Sequence, residues 1–260
     1  MILRRLTQSL KEQNWNAIGI ELVIVVLGVF IGMQVSNWNQ QRVADQQAAV
    51  FTARLKTDLR EEGWGYQYLI AYTGEVRSNA IRAVDALDGK APLPDEALLI
   101  SAYRATQYKQ RLRRRSTYDE LISTGNIGLI RDQTLRDTAM RLYNVATFEN
   151  LALEGLHSRY REAFRMSLPN DVQGALSKHC GDRYIQAGDF AHIHGILDYP
   201  CSTGLSAQVM AESAKALRSN PEMVPYLRLR IADIDTRLGD LIVNNRQIVQ
   251  GLQVVVKEQP

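Results

Sequence analysis

The longest apolar run of the chain lies near its N-terminus. From Leu22 to Met33 no residue is charged or strongly polar. The run reaches back through Ile20, Ile18 and Ala17 and forward to Val35, interrupted by Glu21 and Gln34. Trp15 and Trp38 bracket it. At the helical rise they stand roughly 35 Å apart, a hydrocarbon core plus part of each interface. Paired tryptophans at the two ends match an interfacial aromatic belt. A cleaved signal would need a small-x-small site after the run, and "MQVSNWNQQ" is a poor one. A buried soluble helix would show a polar face, which Leu22 to Met33 lacks. The pattern predicts a single membrane-spanning helix over 17–38, a short tail over 1–16 and an exterior domain over 39–260.

Beyond the span the pattern is helical, and the expected class is mainly α: an antiparallel helical bundle. Phe51, Leu55, Leu59, Tyr66, Leu69, Val76, Ala80, Val84 and Leu87 recur at mixed steps of three and four. "GWG" at Gly63–Gly65 is expected to break or bend this helix. "DGKAPLPDE" reads as a turn, with Pro94 suited to a first helical position. A second helix is expected to reach about Arg114. Thr117 and Glu120 have capping-box spacing for a short helix ending at Gly125. Asp132 caps a third long helix, whose apolar side runs from Leu135 to Phe164. The pattern then fails, and an irregular excursion is expected over about 171–220. A last helix follows from Pro221–Pro225 to about Lys257. Its stripe of Leu227, Ile231, Ile234, Leu238, Leu241, Asn245, Ile248, Leu252 and Val255 is heptad-like. With Asn245 at an a position, it serves either a coiled-coil dimer or the chain's own bundle.

Charge sets the orientation. Arg4, Arg5 and Lys11 precede the span, against Arg42 and Arg54 at a similar distance after it. The excess places the N-terminus in the cytoplasm and the bulk of the chain in the periplasm of a bacterial inner membrane. Glu21 then lies near the cytoplasmic interface, either as a snorkelling carboxylate or as a contact for a membrane partner. Gly28, Gly32 and Ser36 form two small-xxx-small steps on one helical face, which suits a homo-oligomer through the span. The net charge of +3 is too small to argue for a nucleic-acid partner.

Two blocks carry a resemblance. "IGIELVIVVLGVFIGMQVSNWNQQR" and "STYDELISTGNIGLIRDQTLRDTAMRLYN" resemble a group of bacterial inner-membrane proteins. These have one N-terminal anchor of the form G-E-hydrophobic-G-hydrophobic-NWN and a helical periplasmic domain. Here Ile20 separates Gly19 from Glu21, a small departure. The resemblance implies topology and carries no activity.

Candidate chemistry is sparse. No Walker loop, dinucleotide glycine fingerprint, HExxH or GxSxG is present, and no cofactor is implied. Lys109, Arg111, Arg113, Arg114 and Arg115 form the densest basic cluster. It reads as a solvated, ion-paired helix end or as an anion patch. "HCGDRYIQAGDFAHIHGILDYPC" holds both cysteines. Cys180 and Cys201 are expected to form a disulfide on the oxidising side of the membrane, pinning the excursion. The alternative gives His179, His192 and His194, with the cysteines, to zinc. The favoured function is a membrane-anchored scaffold or a sensing and interaction module without catalysis. A periplasmic enzyme or metal-binding protein with its site around His179–Cys201 is the alternative.

Overall fold

The computed structural model describes residues 15–257. Most of the expected tail over 1–16, with Arg4, Arg5 and Lys11, lies outside the described residues. The chain divides into two compact units, Met1–Thr52 and Ala53–Pro260.

The described residues are mainly α-helical, with no strand among them. Helix α1 (Trp15–Leu87) contributes to both units. In the first unit its apolar side chains stand in the open, with Ile20 to Val35 between 51 and 64 % exposed. It is the one helix among the described residues long and apolar enough to cross a membrane. Arg42 lies over the Trp38 ring, and Gln41 donates to Asp45.

The second unit contains the rest of α1 followed by α2 (Asp95–Ala105), α3 (Ser116–Ser123) and a 3-10 turn (Asn126–Leu129). Next come α4 (Gln133–Tyr143), α5 (Thr147–Leu156), α6 (Arg159–Ser167) and α7 (Asn170–Cys180). The chain closes with α8 (Ala207–Ser219), α9 (Met223–Gly239), a π-helical turn (Asp240–Asn244) and α10 (Arg246–Lys257). Pairings across the unit fix direction. Arg60 reaches the carbonyl of Val255, Tyr66 that of Leu241, Arg77 pairs with Asp235, and Asp88 with Arg228. The numbers rise on α1 as they fall on α9 and α10, so these helices are antiparallel. One apolar core joins Ala80–Val84 of α1 to α2, α6, α7, α8 and the start of α9 through Tyr160, Phe164, Leu176, Leu217 and Leu227. A second packs Trp64, Tyr68, Tyr72 and Val76 against Ile193, Ile196, Leu197 and Ile234.

Several expected boundaries move. Gly63 and Gly65 do not break α1. They remove bulk where other elements approach: a Cβ at Gly63 would meet Val256 Cγ2 at 2.8 Å, and one at Gly65 would meet Arg111. The capping box does not form, because α3 starts at Ser116, Thr117 is buried inside it and Glu120 pairs with Arg54. The expected third helix is three helices. Arg113 Nη2 takes the carbonyl of Leu142 at 3.1 Å, which a continuing helix would have offered to Ala146. Ser158, with ψ 125°, turns the chain before α6. The irregular segment shrinks to 181–206. Helix α7 buries only Val172, Leu176 and Cys180, and α8 buries Ser213, Ala214 and Leu217, stripes too sparse or too polar to announce a helix. Ser206 caps α8 by accepting from the Val209 amide.

Candidate functional site

The basic cluster lies on an extended strap, not on a helix. Helix α2 stops at Ala105, and Thr106 bonds back to the Tyr103 carbonyl through both its amide and its hydroxyl. The carbonyls of Thr106 and Gln107, which another helical turn would need, accept instead from Arg161 and Arg230 at 3.1 and 3.0 Å. Like charges crowded on one helix end would also repel. In the extended chain sides alternate. Lys109, Arg111 and Arg113 are drawn into the protein, whereas Gln110, Leu112 and Arg114 face outward.

The inward side of the strap runs antiparallel to α1. Trp64, Tyr68 and Tyr72, spaced four apart, stack with centroids 5.0 and 6.1 Å apart. Arg111 lies 5.7 Å over Trp64, and Lys109 lies 6.0 and 5.3 Å over Tyr68 and Tyr72. Below the ladder sits the acidic pair Glu61–Glu62. Glu62 is fully buried and accepts from Arg113 Nε at 2.8 Å, the Arg114 amide at 2.7 Å and Arg111 Nη1 at 3.5 Å. Glu61 takes Arg114, Arg115 pairs with Asp119 four residues on, and Lys109 pairs with Asp182. Burial works against the Lys109 ammonium, but the hydrogen bond and charge of Asp182 outweigh it and raise its pKa. Burial, reinforced by the same carboxylate, holds the Tyr72 phenol well above its ordinary value. Both groups are therefore fixed in their protonated forms, and every strap cation has an acidic partner. That arrangement suits a clamp.

The excursion is pinned at several points. Cys180 and Cys201 are disulfide-bonded, with Cα atoms 5.5 Å apart. Glu75 of α1 accepts from the amides of Leu197 and Asp198 at 2.7 and 3.1 Å and from that of Gly195. Glu96 of α2 accepts from the Thr203 amide at 2.7 Å and from the hydroxyls of Thr203 and Ser202. Buried Arg104 donates to the carbonyls of Cys180 and Tyr199 and to Cys201 Sγ. The Tyr199 ring carries guanidinium groups from Arg104 at 4.7 Å and Arg183 at 3.6 Å.

The cysteines are brought together; the histidines are not. His179, His192 and His194 are exposed, and His192 Nδ1 is 2.7 Å from Asp189. Among the described residues no group of three or more His, Cys, Asp or Glu side chains is placed to hold a metal ion. Gly28, Gly32 and Ser36 lie exposed on α1, with no atom near a Cβ built on either glycine. Glu21 is likewise exposed. Asn245 is engaged within the chain: Nδ2 donates to the Asp240 carbonyl at 2.9 Å and to Thr147 Oγ1 at 3.4 Å. Adjacent carboxylates such as Glu61–Glu62 make poor acid/base pairs on a helix. Sequence reasoning missed their role as partners of the strap, along with Glu75, Glu96 and Arg104, because these partners lie dozens of residues away. The Trp64–Tyr68–Tyr72 spacing was the one local signal.

No family model, curated protein or solved structure matches the chain.

Proposed function

We propose that the protein is a single-pass inner-membrane protein, N-terminus in the cytoplasm, whose periplasmic helical domain acts as a scaffold or as a sensing and interaction module without catalysis. The carrying observation is the open row of apolar side chains from Ile20 to Val35 on a helix joined to a folded unit. Water is a poor solvent for such a surface and a bilayer a good one. The charge bias of Arg4, Arg5 and Lys11 supports the orientation. The bonded cysteines support an oxidising compartment. Output then passes through the anchor, by Glu21 to a membrane partner or by the Gly28–Gly32–Ser36 face to a second copy. A reporter active only in the periplasm, fused after Pro260, should be active, and crosslinking in intact membranes should capture a partner through positions around Glu21. A cytoplasmic reporter working at that position instead overturns the reading.

A further inference from the structure

Beside the strap lies a cleft of about 260 Å³ with two unlike walls. One is apolar, built from Leu69 of α1 and Phe148, Leu153 and Leu156 of α5. Leu153 is 54 % exposed and Leu156 39 %, so this face is wet in the free protein. The other wall is the strap, with Lys109 and Arg111, and the Glu149 carboxylate at the margin is turned to Arg113 at 3.4 Å. Both cations keep donors in reserve. Lys109 has three, engaged with Asp182 and Tyr68; Arg111 has five and contacts Glu61 and Glu62. Behind the strap stand Arg161 and Arg230, flanking Tyr108, each with a buried Nε that meets no hydrogen-bond partner. Arg230 feels Asp233 and Glu154 through space, but Glu154 is committed to Arg237. Asp233 stands as the charge partner of Arg230, so what the cleft itself offers an anion is the spare donors of Lys109 and Arg111.

We propose that this cleft binds a small amphipathic carboxylate, its apolar body against the α5 wall and its carboxylate on Lys109 and Arg111. At water's share of liquid volume, about 30 Å³, the space holds roughly nine non-hydrogen atoms. A convergent pair of polar groups on a mostly apolar cleft is the usual form of a small-ligand site. The inference stands on the cleft alone and does not depend on the membrane topology proposed above.

The test is calorimetric titration of the full-length protein in lipid nanodiscs at pH 7 with octanoate, octanol and octylamine, each corrected against empty nanodiscs. Octanoate should bind saturably, at least tenfold more tightly than either analogue. Lys109→Gln should weaken octanoate at least tenfold, in line with loss of a charge-assisted hydrogen bond. Leu153→Glu changes an exposed side chain, should leave the helical circular dichroism unchanged, and should abolish binding. Absence of octanoate binding, octanol binding as tight as octanoate, or undiminished binding by the folded Leu153→Glu protein would each overturn the proposal.

Discussion

A Cβ built on Gly65 falls 1.9 Å from Nη1 of Arg111, so the helix surface there is shaped by the absence of a side chain. Arg111 cannot withdraw freely, because it is held by Glu61, Glu62 and the Trp64 face. In an open helix interior, glycine to alanine stabilises by roughly 1 kcal/mol. Gly74, on the same helix with nothing near its missing Cβ, supplies that control. Gly74→Ala should therefore raise the melting temperature and Gly65→Ala lower it. Equal gains from both would mean that Arg111 yields without loss.

The buried carboxylate makes the clamp a stability device. Glu62→Gln leaves Arg113 and Arg111 facing a neutral group in a site closed to water. Removing one partner of a buried ion pair costs about 3–5 kcal/mol. Denaturant titration should show a loss of that order for Glu62→Gln and a much smaller one for Asp119→Asn, whose pair with Arg115 is half exposed.

The helices whose apolar stripes are long and regular, such as α1, were legible in the sequence, and so was the cysteine pair. Two kinds of feature were not. Helix ends set by tertiary partners have no local signal: no glycine or proline marks the break after Tyr143, which depends on Arg113 claiming the Leu142 carbonyl. The clamp depends on pairs about fifty residues apart, Glu61–Arg114 and Glu62–Arg113, and composition cannot distinguish these from a solvated basic run. Gly63 and Gly65 misled because glycine marks close approach as well as flexibility.

The disulfide should resist reduction while the protein is folded. Exchange proceeds by attack on one sulfur and expulsion of the other. Cys180 is fully buried, so attack is open only at Cys201, whose sulfur is itself covered by the Arg104 guanidinium at 3.3 Å. Alkylating reagent should label neither cysteine without reductant, and mild reductant should expose them at the rate of unfolding. Cys180→Ser should lower stability by about 3 kcal/mol on the chain-entropy estimate for a separation of 21 residues. Rapid labelling of the native protein after brief reductant treatment would contradict the burial argument.

Acid should loosen the excursion through Glu96. Hydrogen bonds from the Thr203 amide and hydroxyl, outweighing partial burial, hold its pKa below the ordinary 4.5. A carboxyl depressed in the folded state adds stability that is present above 4.5 and is lost as pH falls through the lower folded value. Thermal stability should therefore drop more steeply below pH 4.5 for the native protein than for Glu96→Gln. Parallel curves for the two proteins would exclude Glu96 as a contributor.

The C-terminal stripe decides between a dimer seam and an internal packing line. Ile234, Leu241, Ile248 and Val255, one set of heptad positions, are all buried in the chain's own core, and Leu252 with them. Ile231, Leu238 and Asn245 lie half-buried at the flank. The π-helical turn at Asp240–Asn244 interrupts the regular winding that a coiled-coil seam needs, and the Asn245 amide bonds the Asp240 carbonyl five residues back at 3.0 Å. The Asn245 side chain closes the same turn and reaches α5 at Thr147. Asn245→Leu should thus lower stability by about 1–2 kcal/mol, the loss of a partly buried hydrogen-bonding group. It should leave the oligomeric state of the full-length protein in detergent unchanged by sedimentation. A change of oligomeric state on this substitution would show that the stripe also serves a second chain.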